Sequence, residues 1–283
     1  MNSIKRRIAT DESVFQGGLD LAAISAYIKL ARISGPKSPL TNENLDLPPG
    51  FTDIRLRESG DAFSHACAIA LEKGAATLVR VSRYDLVEMA IVLEPGDALS
   101  AARRAFFACM NALADALAVH APPERDITFG WPDTLLLDGA IIGGGRLGWP
   151  IDCAENQTPD WLVFGAMLRA ADLTHADPGF TPGATTLTAE GFDIIDGDRI
   201  VEGFARHLMT AFDTWSDSGF RTIGEDYLSR LPKRLASEKR IFDANGDLLS
   251  SLPAGGPPQR SSLREALIAP SWYDAAQRMP KSG

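Results

Sequence analysis

The spacing of apolar residues changes several times along the body of the chain, and each change marks a predicted element. Helical spacing over residues 61–73 ends at Gly74, a residue type that commonly terminates helices. The longest helical repeat covers residues 99–119, where apolar side chains recur on one face. Residues 198–215 and 227–231 have the same spacing. The pattern therefore predicts four helices.

Between the helices, short apolar runs predict strands. The predicted strands cover residues 77–81, 87–93, 126–129, 134–137, 140–147 and 161–169. The last run is almost entirely apolar, which is typical of a strand covered on both faces. Asp138-Gly139 predicts a two-residue hairpin turn. Because helices and strands alternate without the regular spacing of a doubly wound sheet, we expect an α+β fold with a mainly antiparallel sheet backed by helices.

The two ends of the chain differ from its body. An amphipathic helix is predicted at residues 19–32, inside an N-terminal appendage. Near the other end, Asn245-Gly246 predicts the turn of a hairpin over residues 238–250. The Pro- and Gly-rich residues 253–260 are predicted to be a linker or a loose tail. The expected organisation is an appendage, a main domain, and a small C-terminal β domain with a tail, over residues 1–46, 47–232 and 233–283.

The composition of the chain disfavours several classes of function. The 283 residues include 37 acidic and 28 basic ones, giving a formal net charge of -9. This charge disfavours nonspecific binding to nucleic acid or to an anionic membrane surface. The longest apolar runs are far shorter than the roughly 20 residues that cross a bilayer. Three scattered cysteines do not form a disulfide framework. We therefore expect a cytoplasmic protein with neither a nucleic-acid nor a membrane partner.

Metal binding and thiol chemistry have little support in the sequence. The histidines lack the spacing of a zinc site, and they stand at positions 65, 120, 175 and 207. Cys153 lies between Asp152 and Glu155, whose charges raise a thiol pKa, so it is a poor nucleophile. Cys67 and Cys109 fall on apolar helix faces and are predicted to be core residues.

A glycine run, Gly143-Gly144-Gly145, precedes Arg146 inside a predicted strand. It lacks the lysine and hydroxyl of a phosphate loop and the spacing of a dinucleotide fingerprint. Without Cβ atoms, such a strand lets another backbone or a flat ligand come close. A β-bulge is the alternative explanation, and the sequence does not choose between the two.

Residues 129–145 resemble the signature of biotin and lipoate protein ligases. That family has Lys-Trp-Pro-Asn-Asp, an apolar strand, a turn, and then Lys-hydrophobic-Gly-Gly. This chain has Trp131-Pro132-Asp133, a strand, the Asp138-Gly139 turn and the glycine run. Other segments resemble the family in the same order: Arg57-Glu58-Ser59, residues 92–95, the helices within residues 204–231, and the small β domain at residues 239–249. The likeness covers residues 47–250.

The resemblance implies a fold of the class II synthetase type and a small carboxylic acid as substrate, namely biotin, lipoate or octanoate. Family members activate the acid with ATP, with Mg²⁺ as a possible further requirement, as an acyl-adenylate. They then pass the acyl group to a lysine of a biotinyl or lipoyl carrier domain. The resemblance also implies that Trp131 and Pro132 shape the pocket and that the glycine run, Gly143 to Gly145, lies against the ligand.

This chain differs from the family at the positions where the family has lysines and arginines. The lysine before Trp-Pro falls on Gly130, and the lysine after the turn falls on Ala140 or Ile141. A short polar turn, residues 82–85, stands where the family has a glycine- and arginine-rich loop. Without a cation, a carboxylate and the phosphates repel each other and the developing charge is not stabilised. The candidates to replace the lysine are arginines, which can clamp phosphate, and they are Arg80, Arg83 and Arg146.

Three functions remain open from the sequence. The first is an active ligase or acyltransferase, in which Arg83 or Arg146 contacts phosphate or carboxylate. The second is a catalytically inactive relative that binds a cofactor or a carrier domain. In the third, a structural interaction protein, the tryptophans are core packing and the arginines are solvated. Asp133 replaces the family's asparagine, and its carboxylate either orders the turn or takes part in chemistry.

Overall fold

The apolar runs of the sequence assemble into a seven-stranded sheet of order β1-β2-β3-β7-β6-β5-β4. The computed structural model describes residues 45–172, 183–192, 197–233, 235–252 and 257–281. Strand β1 is parallel to β2, and all other neighbours in the sheet are antiparallel. The strands are β1 (Thr52–Leu56), β2 (Thr77–Val81), β3 (Leu86–Leu93), β4 (Ile127–Gly130), β5 (Thr134–Leu137), β6 (Ala140–Gly148) and β7 (Leu162–Arg169).

Helices cover both faces of this sheet. On one face, which we call the helix side, α3 and α4 pack against the strands, and α5 packs on both helices. On the other face, the α1 side, α1 lies over β2, β3 and β7. The helices are α1 (Ala62–Lys73), α2 (Leu99–Ala102), α3 (Ala105–Ala118), α4 (Gly197–Ser218), α5 (Phe220–Ser229) and α6 (Leu263–Ile268).

The main core lies on the helix side, because α3 is apolar nearly all round and almost wholly buried. Phe164 of β7 stands between two rings, Phe106 of α3 at 5.7 Å and Phe204 of α4 at 5.8 Å between centroids. All three side chains are fully buried. Burial of each such side chain contributes about 2–3 kcal/mol, so this layer holds the sheet and helices together.

On the α1 side the packing is closer, because glycines take the place of larger side chains. A Cβ at Gly165 of β7 would lie 2.6 Å from the ring of Phe63, and one at Gly148 would lie 2.9 Å from it. Helix α1 begins after Asp61, whose carboxylate accepts a hydrogen bond from the backbone N–H of Ser64 at 2.8 Å. The glycines therefore seat α1 directly on the strands.

Two small sheets follow α5. The first is three-stranded, of order β10-β9-β8, and the second is a two-stranded pair. Residues 271–281, which contain this pair, are called the C-terminal hairpin below, and β12 contacts β6 and β7. The strands are β8 (Lys239–Phe242), β9 (Leu248–Ser251), β10 (Gln259–Ser261), β11 (Tyr273–Asp274) and β12 (Met279–Pro280).

The predicted fold class is confirmed, and so are the turn at Asp138-Gly139, where both residues have positive φ, and the β8–β9 hairpin. The single helix predicted at residues 99–119 is wrong. It breaks into α2 and α3 because the N–H groups of Phe106 and Phe107 bond to carbonyls three residues earlier. Helix α5 begins at Phe220, seven residues before its predicted start.

Other differences concern the ends of the chain. Strand β1 was not predicted, and residues 259–261 form β10 rather than a loose tail. The helix predicted at residues 19–32 lies outside the described residues. In the described part of the chain, no helix combines the length and apolar character needed to cross a membrane.

Candidate functional site

Residues 130–133 form the corner between β4 and β5, and the Trp131–Pro132 peptide bond is cis. The Tyr227 hydroxyl, whose pKa burial raises, donates a hydrogen bond to the Pro132 carbonyl at 2.6 Å. The structure therefore places Trp131 and Pro132 against the core on the helix side. The ring of Trp131 lies within 5.8–6.3 Å, between centroids, of those of Phe107, Tyr227 and Phe242.

Asp133, the last residue of this corner, is fully buried. Its carboxylate accepts hydrogen bonds from the backbone N–H of Ser271 at 2.8 Å, from the Ser271 hydroxyl at 2.6 Å and from the Thr134 hydroxyl at 3.2 Å. Burial raises its pKa, although these hydrogen bonds act in the opposite direction. Asp133 thus anchors the C-terminal hairpin, a use that the sequence did not suggest.

The glycine run lies in the middle of β6, and its tight packing explains the absence of side chains. A Cβ at Gly143, where φ is +155°, would lie 2.0 Å from the Met167 carbonyl oxygen. The register shifts opposite Leu135, so the strand carries a bulge. A Cβ at Gly144 would lie 2.1 Å from the Asp133 carbonyl oxygen. Both interpretations of the run, a bulge and the close approach of another backbone, are confirmed.

A flat group also lies against these glycines, and it belongs to the chain itself. The indole of Trp272 would be 2.5 Å from a Cβ at Gly144, and its Nε1 donates to the Gly145 carbonyl at 2.9 Å. Trp272 is fully buried and packs with Leu86 and Met167. The C-terminal hairpin therefore covers the α1 side of the glycine run.

Arg146, two residues after Gly144, points to the same side of the sheet. Its guanidinium lies 4.2 Å from the ring centroid of Phe63 and 4.7 Å from that of Tyr273. It also pairs with Asp61 at 3.2 Å, and Arg278 of the C-terminal hairpin pairs with the same carboxylate at 3.0 Å. Arg146 thus links α1, β6 and the C-terminal hairpin.

The other two candidate arginines are paired as well. Arg83 donates to the carboxylate of Asp85 through Nε at 2.9 Å and Nη2 at 2.6 Å. Arg80, with 2% of its side chain exposed, bonds to Asp53 at 3.0 Å and to Asp198 at 2.6 Å. The chain's own carboxylates therefore neutralise all three arginines.

A cavity of about 270 Å³ remains between the start of α1 and the C-terminal hairpin. Glu88, which is 4% exposed, accepts a hydrogen bond from the Ala62 N–H at 2.8 Å, and burial raises its pKa. We call this space the site cavity. Its walls include Ser59, Asp61, Arg83, Glu88, Tyr273 and Arg278.

The residues judged unpromising from sequence behave as core or surface groups. Burial, followed by the charges of Asp152 and other carboxylates, raises the pKa of Cys153, so its predicted direction is confirmed. Burial raises the pKa of Cys67 to about 11, and Cys109 is fully buried in the core. Within the described ranges, three or more His, Cys, Asp or Glu side chains nowhere gather as a metal site would require. His175 lies outside those ranges.

Sequence reasoning missed the contribution of the C-terminal hairpin. Its site residues are Ser271, Trp272, Tyr273 and Arg278. One signal was available, since loose tails are poor in aromatic residues. The adjacent Trp272 and Tyr273 are therefore a reason to expect docking.

A comparison of the sequence with family models agrees with the fold described above. Residues 47–229 match the model of the biotin/lipoate A/B protein ligase family. The chain belongs to this family. Among curated proteins, cyclochlorotine synthetase from Talaromyces islandicus is 25% identical over 185 residues, which are 56% of this chain and 3% of that protein.

Solved structures give the same fold. A biotin protein ligase-like protein of unknown function from Silicibacter sp. TM1040 superposes with a TM-score of 0.68 and 24% identity, over 80% of this chain and 100% of that one. Biotin protein ligase from Aquifex aeolicus, in complex with biotin and ATP, gives a TM-score of 0.54 and 13% identity, over 74% and 94% of the two chains. These likenesses support the fold alone.

Proposed function

We propose that this protein is a non-adenylating member of the family, which binds a small carboxylic acid without activating it. Residues 47–232 would form the ligand-binding domain and residues 233–283 a small C-terminal domain that closes it. The proposal rests on one observation, the pairing of the candidate arginines with carboxylates of the chain itself. At the site, Gly130 replaces the family lysine, and Arg80, Arg83 and Arg146 each pair with carboxylates of the chain.

The physical reason lies in the charges of the reaction. Forming an acyl-adenylate brings an anionic carboxylate against a phosphate, and one well-placed donor is worth roughly 10²–10³ in rate. Gly130 has no side chain, and Ala140 and Ile141 are apolar. If Arg146 moved to bind a phosphate, the Asp61 carboxylate would lose one of its arginine partners. Arg146 would also lose its stacking between two rings. The arrangement therefore opposes adenylation by this chain.

Ligand binding is supported by the fold and by the site cavity. A solved relative of the same fold holds biotin and ATP. The site cavity, about 270 Å³, lies near the lower end of the roughly 300–1,000 Å³ of ligand pockets, so any acid bound there is small. We infer that biotin, lipoate or octanoate binds on the α1 side of β6, and that ATP, Mg²⁺ and acyl transfer to a carrier domain are not needed for this binding.

Pyrophosphate exchange tests the absence of adenylation. The purified protein is incubated with ATP, Mg²⁺ and labelled pyrophosphate, together with biotin, lipoate or octanoate in separate reactions. The Aquifex aeolicus ligase with biotin is the positive control. We expect no exchange above the reaction without acid. Exchange with any of the three acids would overturn the proposal in favour of an active ligase.

Isothermal titration calorimetry of the same acids tests binding. We expect at least one of them to bind in the absence of ATP, and Gly144→Val, which fills the face of β6, to abolish the signal. Circular dichroism shows whether that variant is folded. The absence of binding by all three acids would contradict this half of the proposal.

A further inference from the structure

The C-terminal hairpin lies on the α1 side of the sheet, against the residues that the family signature assigns to the ligand. From this position we propose that the hairpin is a displaceable occupant of the ligand site, so that hairpin docking and ligand binding compete. The proposal rests on the proposed function, because it concerns the regulation of the same site.

The contacts of the hairpin with the site resemble those of a bound ligand. The Ser271 N–H and hydroxyl donate to the buried Asp133 carboxylate, and the edge of the Trp272 indole lies against Gly144. The indole N–H then donates to the Gly145 carbonyl. A polar group, a flat ring and a ring N–H of the chain itself thus occupy the face of the glycine run.

The hairpin is also held together by its own bonds, so it can move as a unit. Its two strands pair at Tyr273 with Pro280 and at Asp274 with Met279. The Lys281 N–H donates to the Trp272 carbonyl at 2.7 Å, which closes the pair. None of these bonds is lost if the hairpin leaves the sheet. Undocking would therefore break contacts with the sheet but not the structure of the hairpin.

The hairpin is attached to the body of the protein at β6, at β7, where Arg169 donates to the Pro280 carbonyl, and at an exposed rim. The Arg278–Asp61 pair has 55% of the arginine side chain exposed, and exposed ion pairs contribute little. Trp272 is the fully buried large side chain of the hairpin. Segments with few buried contacts open locally, without global unfolding. We therefore expect an equilibrium between docked and undocked hairpins, with ligand binding only to the undocked form.

Hydrogen exchange of the full-length protein tests the undocking without any ligand. We expect the Ser271 N–H, which donates to Asp133 across the docking interface, to exchange at least about 100-fold faster than the N–H groups of β3 and β7, through local opening. Equal protection of the hairpin and these central strands would show that the hairpin leaves only when the whole protein unfolds. That result would overturn the proposal whatever the ligand is.

Calorimetry with biotin, lipoate and octanoate tests the competition. Because Trp272→Ala weakens docking, its affinity for any acid that binds should rise by about 10-fold or more. Trp161→Ala, which alters a partly buried tryptophan beside α1, should leave the affinity unchanged. Unchanged or weaker binding by Trp272→Ala would overturn the competition. If no acid binds to either protein while the hairpin exchanges fast, the proposed ligand class fails but the undocking stands.

Discussion

The two sides of the seven-stranded sheet are built in different ways. On the helix side, large apolar residues from α3, α4 and β7 pack into one continuous core. Beyond α1, the other side has glycines on the sheet and a hairpin whose contacts include the Asp133 carboxylate, the buried Trp272 and an exposed ion pair. The first arrangement stabilises the fold, whereas the second, as we propose, controls access to a surface.

This difference distinguishes the residues that give the chain the family fold from the residues that the family's reaction would need. The helix side and the Trp-Pro corner give the chain the ligase fold, and Trp131 contributes to that fold through its aromatic neighbours. On the α1 side, Arg83 and Arg146 are paired with carboxylates of the chain. If the proposed function is correct, this chain keeps the core of an enzyme family but lacks the charges that the family's reaction needs.

The largest effect that we predict tests the helix side. Phe106→Ala removes a fully buried ring that contacts Phe107 and Phe164, at 6.3 and 5.7 Å between centroids. The free energy of unfolding should fall by about 4 kcal/mol because a cavity replaces the ring. Urea denaturation measures the change. Leu71→Ala, at a side chain that is 76% exposed, is the control and should cost less than about 0.5 kcal/mol.

The second prediction tests the α1 side with a side chain of similar size. Trp272→Ala should lower the free energy of unfolding by about 2 kcal/mol, less than a core truncation, because the loss cannot exceed the free energy of hairpin docking. Limited proteolysis should cut the variant within residues 271–281 before it cuts elsewhere. A loss as large as that of Phe106→Ala would mean that both sides belong to one cooperative core.

The sequence predicted the helix side well because its physical signal is local. The apolar period of α3 and α4 and the continuous run of β7 appear in the order of residues alone. Even the wrong single helix at residues 99–119 placed the correct face against the sheet. The glycine run was likewise recognised as a place of close approach, since a missing Cβ is a property of each residue.

The contacts of the C-terminal hairpin on the α1 side could not be predicted from the sequence in the same way. Its central contact joins Asp133 to Ser271, 138 positions later, and no local period connects them. The pairing of Arg146 with Asp61 is similarly distant, so a free cation and a neutralised one look the same in the sequence. Sequence reasoning therefore identified the candidate arginines and glycines. It did not identify the carboxylates that pair with the arginines or the tryptophan that covers the glycines.

A smaller effect should follow from a single polar anchor of the hairpin. Ser271→Ala removes the hydroxyl that donates to Asp133 at 2.6 Å and leaves the backbone N–H bond in place. We expect a loss of about 1.5 kcal/mol, because the acceptor is a buried carboxylate. Ser229→Ala is a matched control, since that hydroxyl donates to an exposed carbonyl at 2.6 Å. An equal loss in both variants, measured by urea denaturation, would contradict a special role for Asp133.

The smallest effect concerns the pH dependence of the site cavity. Burial raises the pKa of Glu88 above its ordinary value of 4.5, so the folded protein binds this proton more tightly than the unfolded chain does. The free energy of unfolding should therefore fall as the pH rises through the window that begins near 4.5. Glu88→Gln cannot titrate, so its stability relative to the natural protein should increase with pH across this window.

Asp61, which also lines the site cavity, provides the reverse case. Burial acts to raise its pKa, but the Ser64 N–H and the charges of Arg146 and Arg278 outweigh burial and lower it below 3.8. Its contribution to stability is present above that value and is lost as the pH falls. Asp61→Asn should therefore lose stability relative to the natural protein as the pH rises, opposite in sign to Glu88→Gln. Urea denaturation between pH 3 and 8 compares the two, and slopes of the same sign would mean that the Ser64 N–H and the two arginines do not hold the Asp61 charge.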